Sequence, residues 1–347
     1  MFIESGQIKN QDNPKIGGKA RNLLKLESLR MNVPPWLVIP SDVLESTPID
    51  TINQALKSHQ LIIGNTDARF AVRSSAIDED SEEASFAGQF ETFLNVTSQN
   101  LLSAIKEVKN SAKSDRVKQY RKNKGLPENQ EIAVVVQKMI DAEISGVAFG
   151  ADPVTGDMDS KIISAVYGVG EGLVSGELNS DNYKIINGDI NKTIVKKEHA
   201  FVVNSNRDGI SKVSVSEKLV SASAMRDNQV KEVVYILEVL GAKLEKPQDV
   251  EFAYNKDELF LLQTRPITTL RKKIKTDQFI IWDNSNIIES YPGVTTPLTF
   301  SFIIKMYDAV YRQFSMLMGV RSKEVDSNKE VFSNMLGLIQ GRVYYNL

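Results

Sequence analysis

DVEFAYNKDELFLLQTR, residues 249–265, predicts two β-strands joined by a short charged turn. Asp249 and Glu251 lie two residues apart and share one strand face, and Gln263 and Arg265 do the same on the partner strand. These four polar side chains could therefore converge on one site. Carboxylate and amide oxygens beside a guanidinium suit a magnesium-bound triphosphate, because Mg²⁺ prefers oxygen ligands. A surface hairpin with cross-strand ion pairs is the alternative.

A possible anion site lies near the amino terminus, where Gly17 and Gly18 precede Lys19 at the start of a predicted helix. The free amide groups and dipole of a helix start favour an anion, and the lysine adds a full charge. The motif is not a P-loop, because Asn13 and Ala20 stand where that loop requires glycine and Ser or Thr. A surface lysine after a glycine turn is the alternative.

The segment RFAVRSS, residues 69–75, predicts a strand that ends at Arg73 and two serines. A guanidinium at this position can hold phosphate oxygens in a fork, although a solvated arginine would fit equally. Gly88 and Thr92 follow in a predicted loop whose backbone could close over phosphates. The acidic residues within 78–83 are interpreted as a solvated face.

Two further segments could contact a nucleotide. Gln137 ends the predicted strand of residues 132–139, from where its amide could reach an adenine edge, although a polar residue at a sheet edge is an equal alternative. GVGEG, residues 168–172, lacks the full spacing of a dinucleotide-binding loop and is interpreted as a turn near the nucleotide.

Composition excludes several classes of site and partner. The chain has 347 residues and a formal net charge of -2, so it offers no diffuse basic field for nucleic acid. It has no cysteine, which excludes disulfides, thiolate metal sites and cysteine nucleophiles. Neither a signal sequence nor an apolar run of about 18 residues is present, so we expect a cytoplasmic protein without membrane partners.

Histidine is scarce in this sequence, with only His59 and His199. Neither lies in a glycine- and threonine-rich turn that would present a nucleophile, and both are interpreted as surface residues.

The remaining pattern predicts an α+β protein in three parts. Amphipathic helices are predicted at about 100–122 and 226–242, a basic linker at 267–277, and an apolar helical run at 300–318. The closing strand of residues 341–347 is expected to find no partner within the chain. We predict subdomains at 1–98 and 99–268, followed at 269–347 by a linker and the start of another domain.

Six blocks of the sequence carry a family resemblance. They are GGKARNL, VPPWLVIP, AVRSSAIDEDSEEASFAGQFETFLNV, VVVQKMIDAEISGVAFGADPVTGD, GVGEGLVSGE and DVEFAYNKDELFLLQTRPI. Together they resemble the amino-terminal nucleotide-binding domain shared by phosphoenolpyruvate synthase, pyruvate phosphate dikinase and rifampin phosphotransferase. The resemblance covers about residues 15–268 and implies an ATP-grasp fold, with ATP and Mg²⁺ bound in a cleft between two subdomains.

The resemblance also implies a role for each matching residue. Lys19 and Arg73 would contact the phosphates, and Gly88 and Thr92 would lie in the phosphate loop. Gln137 would lie at the adenine. Glu251, Gln263 and Arg265 would lie at the metal and γ-phosphate, with Glu251 and Gln263 as metal ligands and Lys19, Arg73 and Arg265 as the catalytic cations.

In enzymes that this chain resembles, a histidine on a separate swivelling domain takes phosphate from the β-position of ATP and carries it to an acceptor such as pyruvate, leaving AMP. No Thr-Ser-His type turn is present here, so the chain is expected to need such a domain, in a longer polypeptide or on a separate subunit. The acceptor stays open between pyruvate, a rifamycin and a phenol, the last as in phenylphosphate synthase. A nucleotide-sensing subunit and an ADP-forming ligase of the same fold are further hypotheses.

Overall fold

The computed structural model describes residues 3–4, 14–46, 68–76, 90–123, 127, 132–267 and 281–347. The chain divides into two compact units, residues 1–272 and 273–347. The first unit contains two large antiparallel sheets with helices, and the second contains a smaller sheet with helices. These elements confirm the predicted α+β class.

The first lobe of the larger unit is built on a five-stranded antiparallel sheet. Its strands are β1 (Ile3–Glu4), β2 (Trp36–Ile39), β3 (Arg69–Ser75), β4 (Thr92–Thr97) and β5 (Ala133–Lys138). They are ordered β1-β2-β5-β3-β4. The described helices of this lobe are α1 (Gly17–Ser28), α2 (Ser41–Ser46), α3 (Leu101–Ser111) and α4 (Asp115–Asn123).

Helix α3 covers one face of this sheet. Leu101, Ile105 and Val108 lie at spacings of four and three residues, so they share one side of the helix, and all three are buried. They pack in one core cluster with strand residues that include Phe70 and Val136. Burial of this apolar stripe holds the sheet in place behind the residues at the end of β3.

The second lobe is built on a six-stranded antiparallel sheet. Its strands are β6 (Ile144–Phe149), β7 (Ser160–Tyr167), β8 (Asp181–Ile186), β9 (Asp189–Thr193), β12 (Gln248–Asn255) and β13 (Glu258–Pro266), in the order β13-β12-β6-β7-β8-β9. β10 (His199–Val203) and β11 (Ile210–Ser214) form a separate hairpin. The accompanying helices are α5 (Glu171–Val174), α6 (Glu217–Val220) and α7 (Asp227–Leu244).

Helix α7 confirms the helix predicted at about 226–242. Val230, Val233, Leu237 and Leu240 are buried at spacings of three and four residues, so one stripe of the helix packs on the sheet. The helix ends at Leu244, where Glu245 adopts the left-handed conformation with a φ of 59°.

A buried ion pair links two segments of the second lobe. Lys197 Nζ donates to Asp181 Oδ1 over 2.6 Å, and the two side chains are 1% and 0% exposed. Asp181 also accepts hydrogen bonds from the backbone amides of Val195 and Ala224. Because both charges are paired and hydrogen-bonded, the pair is tolerated at this depth.

The second unit contains β14 (Trp282–Asp283), β15 (Leu336–Ile339) and β16 (Arg342–Asn346), with helices α8 (Pro297–Leu317), α9 (Ser322–Ser327) and α10 (Lys329–Ser333). Helix α8 confirms the predicted apolar helical run. Thr296 caps this helix by accepting a hydrogen bond from the Thr299 amide. The expectation that the closing strand has no partner is wrong. β16 pairs with β15 on one side and β14 on the other, because the tight turn at Gln340 and Gly341 returns the chain beside β15.

The predicted boundary between the two subdomains, at residue 98, falls inside a region that folds with the first lobe. β5 pairs with both β2 and β3, so the sheet of the first lobe continues to Lys138. The three-part division stays a prediction, and residues 268–280, where we predicted most of the linker, lie outside the described residues. Within the part of the chain that the structure describes, none of the helices is long and apolar enough to cross a membrane.

Candidate nucleotide-binding site

A cavity of about 450 Å³ lies between the two lobes of the larger unit. Its lining includes Lys19, Arg73, Thr92, Gln137, Glu251, Gln263 and Arg265. These are all the predicted site residues that the structure describes, and they come from five separate segments of the chain. Gly88 lies outside the described residues.

The β12–β13 hairpin has the arrangement that the sequence predicted. Asp249 lies opposite Arg265 and Glu251 lies opposite Gln263 in the antiparallel register. All four are close to a β-bulge, since the register shifts between Glu251 and Phe252. A bulge turns neighbouring side chains relative to a regular strand, which is common beside binding sites.

Arg73 joins the two lobes through an ion pair with Glu251. The Arg73 Nη2 and Glu251 Oε2 atoms are 2.8 Å apart, and the side chains are 14% and 31% exposed. Burial would raise the pKa of Glu251, but the Arg73 guanidinium, with Lys19 and Arg265 nearby, lowers it overall. Glu251 is therefore a carboxylate at neutral pH, as a metal ligand must be.

The second ion pair of the hairpin has a different electrostatic balance. Arg265 Nε donates to Asp249 Oδ2 over 2.7 Å. Burial raises the pKa of the Asp249 carboxyl, and the nearby charge of Glu251 acts in the same direction, although Arg265 opposes them. Asp249 orients Arg265 towards the cavity, and the sequence prediction assigned it no separate role.

Lys19 reaches the cavity from the first turn of α1. Its side chain is buried, and Nζ lies 3.3 Å from the Ser74 hydroxyl oxygen. Gly17 permits this placement because its φ is +75° and an added Cβ would lie 1.9 Å from the Ser75 carbonyl oxygen. The Ser75 hydroxyl donates to the Ile16 carbonyl and accepts from the Ala20 amide, so the helix start is fixed to the end of β3.

Gln137 supplies an unsatisfied donor to the lining. It is 2% exposed, and its Nε2 atom has no hydrogen-bond partner among the residues described. A buried unpaired amide costs about 1–3 kcal/mol. A heterocycle with an exposed acceptor would satisfy it, so this position fits a nucleobase.

The glycine-rich turn at residues 168–172 lies beside the cavity, as predicted, and Val169, Gly170 and Glu171 line it. Ser145 Oγ donates to the Gly168 carbonyl over 2.7 Å and holds the turn. Burial raises the pKa of Glu171 above its ordinary value. The charge of Arg73 opposes this increase, and the charge of Glu251 adds to it. Sequence reasoning named the turn but missed Glu171 and Ser145, although an acidic residue inside a glycine turn was an available signal.

The described residues contain no group of three or more histidine, cysteine, aspartate or glutamate side chains arranged to hold a metal ion. Glu251 and Gln263 offer two adjacent oxygen donors, and Mg²⁺ at nucleotide sites commonly takes its other ligands from phosphates and water. The donor set therefore fits a nucleotide-bound magnesium. No histidine is among the described residues of the lining, His199 is exposed on β10, and His59 lies outside the described residues.

Comparison with known proteins identifies the family of the chain. Residues 49–280 match the family described as pyruvate phosphate dikinase, AMP/ATP-binding domain. The chain is 34% identical over 355 residues to a probable phosphoenolpyruvate synthase from Pyrococcus horikoshii, covering 89% of this chain and 43% of that protein. It is 35% identical over 234 residues to rifampicin phosphotransferase from Bacillus cereus, covering 67% of this chain and 26% of that protein.

The chain thus spans less than half the length of these two curated relatives. Among solved structures, D-alanine-D-alanine ligase from Helicobacter pylori aligns with 74% of this chain and 55% of its own, at 13% identity and a TM-score of 0.34. These last values are too low to support an argument. The family match covers well over half of the sequence, and the chain therefore belongs to the pyruvate phosphate dikinase AMP/ATP-binding domain family.

Proposed function

We propose that this chain binds ATP with Mg²⁺ in the cleft and is the phosphoryl-donor module of a phosphoenolpyruvate synthase-type dikinase. The observation that carries the proposal is the convergence of side chains from five distant segments on one cavity. The family description supports ATP as the ligand. The names of the two relatives support phosphoryl transfer as the reaction class.

The charges of the lining suit a triphosphate. Lys19, Arg73 and Arg265 place three cations around the Glu251 carboxylate. Arg73 and Arg265 each already donate to a carboxylate oxygen, and phosphate oxygens are acceptors of the same kind. Thr92 lies opposite Arg73 on the neighbouring strand, at the end of the predicted phosphate loop that contains Gly88. Gln137 would donate to the adenine.

Glu251 and Gln263 would hold the magnesium ion, which supplies charge neutralisation at the phosphates when bound. The contribution of the chain itself is positioning and electrostatic stabilisation, which provide most of the catalysis of phosphoryl transfer. Lys19, Arg73 and Arg265 would be the catalytic cations, because negative charge redistributes over the phosphate oxygens during transfer and these side chains would stabilise it.

The acceptor in this proposal is a histidine on a separate swivelling domain, which takes the β-phosphoryl group of ATP. AMP is released, the γ-phosphate leaves to water as orthophosphate, and the histidine passes its phosphoryl group to pyruvate. The relatives are more than twice as long as the part that matches this chain, which leaves room for such a domain in the same polypeptide. The similarity to rifampicin phosphotransferase supports an alternative in which the final acceptor is a drug hydroxyl.

Incubation of the chain with labelled ATP, Mg²⁺ and the histidine domain of a relative tests this proposal. We expect AMP and an acid-labile phosphohistidine, and neither product when the acceptor histidine is replaced by alanine. ATP binding without AMP would favour a nucleotide sensor, and ADP as the nucleotide product would favour ligase chemistry. Failure to bind ATP would refute the proposal.

A further inference from the structure

The β10–β11 hairpin of the second lobe contacts the edge of the first lobe through its tip, residues 204–209. Asp208 accepts from the Thr97 amide over 2.9 Å and from Asn100 Nδ2 over 2.8 Å. Arg69 Nη2 donates to the Ser205 carbonyl over 2.8 Å. The Asn95 Nδ2 atom lies within hydrogen-bond distance of three tip carbonyls, those of Asn204 at 2.9 Å, Arg207 at 3.2 Å and Gly209 at 2.7 Å, and shares its two hydrogens among them.

Asn95 has an unusual backbone that directs its side chain at this tip. Its φ is +55°, and it is fully buried. It lies at an irregularity of the β3–β4 ladder, where Phe70 pairs with Val96 but Val72 pairs with Phe93. A bulge of this kind re-aims a side chain, and asparagine tolerates the left-handed region better than most residues.

The middle of β10 in the same hairpin contacts the glycine turn of the cleft. The Val169 amide donates to the Phe201 carbonyl over 2.8 Å, and Gly168 forms an isolated parallel bridge with Phe201. An added Cβ at Gly168 would lie 2.0 Å from the Phe201 carbonyl oxygen. The approach of the two backbones therefore requires glycine.

The hairpin is thus attached at two places to segments that line the cleft. Its tip contacts β4, which begins at Thr92 opposite Arg73, and Phe201 in the middle of β10 contacts the turn that contains Glu171. We propose that the hairpin fixes the separation of the two lobes, and that Asn95 and Asp208 are positioning residues for the nucleotide site. The effect on nucleotide binding rests on the proposed function, whereas the effect on lobe separation does not.

The separation can be measured directly because the natural chain has no cysteine. Spin labels at Lys106→Cys on α3 and Asn191→Cys on β9, both exposed, would report the distance between the lobes by pulsed electron spin resonance. Asn95→Ala and Asp208→Ala should lengthen and broaden this distance. Lys212→Ala, at an exposed position on the same hairpin, is the matched control and should leave it unchanged.

ATP affinity provides a second readout. Loss of these hydrogen bonds should lower the population of the closed arrangement, and apparent affinity falls with the competent fraction, so we expect it to drop about tenfold in Asp208→Ala. Asp208→Asn keeps an acceptor for the Thr97 amide and should recover most of the affinity. A general loss of structure would not be rescued in this way.

Unchanged distances in both Asn95→Ala and Asp208→Ala would overturn the inference. If Asn95→Ala does not fold, Asp208→Ala and Arg69→Ala still test the inference, because the Asp208–Asn100 and Arg69–Ser205 contacts lie at the surface. If the distances lengthen but the unsubstituted chain does not bind ATP, the role of the hairpin stands and the proposed function fails.

Discussion

Gly17→Ala should destabilise the first lobe and move Lys19. Glycine at this position has a φ of +75°, where alanine costs about 1–2 kcal/mol. The added Cβ would lie 1.9 Å from the Ser75 carbonyl oxygen and 2.4 Å from its carbon, and backbone atoms cannot rotate away. Overpacking of this kind costs about 1–3 kcal/mol. Together the free energy of unfolding should fall by about 2–5 kcal/mol.

Gly241→Ala is the matched control, because Gly241 lies within α7 and an added Cβ there meets no atom within 4 Å. It should raise stability by about 0.5–1 kcal/mol, since alanine is the better helix former. Trp36 packs in the same core cluster as the residues of α1, and the sequence has two tryptophans. Urea unfolding followed by fluorescence in a Trp282→Phe background therefore reports on this lobe.

A loss of less than 1 kcal/mol in Gly17→Ala, or equal effects of the two substitutions, would refute the contact between α1 and the end of β3. Calorimetric titration adds a functional readout. ATP affinity should fall in Gly17→Ala beyond any change in Gly241→Ala, because Lys19 lies two residues after the substituted glycine.

Three further predictions concern charged side chains. Arg73→Ala should slow phosphorylation of the histidine domain by about 10³–10⁵-fold, which corresponds to about 4–7 kcal/mol of barrier. Arg73→Lys should recover only part of the rate because lysine lacks the planar fork, and a normal rate in single-turnover assays would contradict the role. The pKa of Glu251 is lowered in the folded state, so its stabilising contribution is present above the ordinary glutamate value of 4.5 and is lost as the pH falls through the lower folded value. Glu251→Gln should thus reduce the dependence of the urea midpoint on pH below 4.5, and an unaltered acid profile would contradict this. Lys197→Met should lower the free energy of unfolding by about 3–5 kcal/mol, because Asp181 would stay buried without its partner, whereas Lys196→Ala at the exposed neighbour should change it by less than about 0.5 kcal/mol.

Local patterns were sufficient to predict the β12–β13 hairpin. The period of two predicts that Asp249 and Glu251 share one face of the first strand and that Gln263 and Arg265 share one face of the second. The register that sets Asp249 opposite Arg265 and Glu251 opposite Gln263 comes from the structure. The convergence of distant segments was predicted from the family resemblance, since no local pattern brings Lys19 beside Arg73. The contact that does so, between Gly17 and Ser75, joins residues far apart in the chain.

The predicted helix at 100–122 shows where local reasoning was incomplete. The structure has two helices, because α3 ends at Ser111 and the Ser114 hydroxyl accepts from the Val117 amide at the start of α4. A serine followed by aspartate is a helix-start signal, and it was hidden within a continuous polar and basic pattern. The position of β5 between β2 and β3 could not be predicted either, since strand order depends on packing across the whole lobe.

The ion pair between Arg73 and Glu251 has a thermodynamic consequence. The Arg73 guanidinium holds the two lobes together and is also a candidate ligand for phosphate. Both interactions use the same N–H donors, so they compete. Any anion that recruits Arg73 must share it with, or take it from, a carboxylate that is partly shielded from water. Anion affinities measured without Mg²⁺ will therefore include the work of that exchange, and they should become more favourable when the competing carboxylate is neutralised.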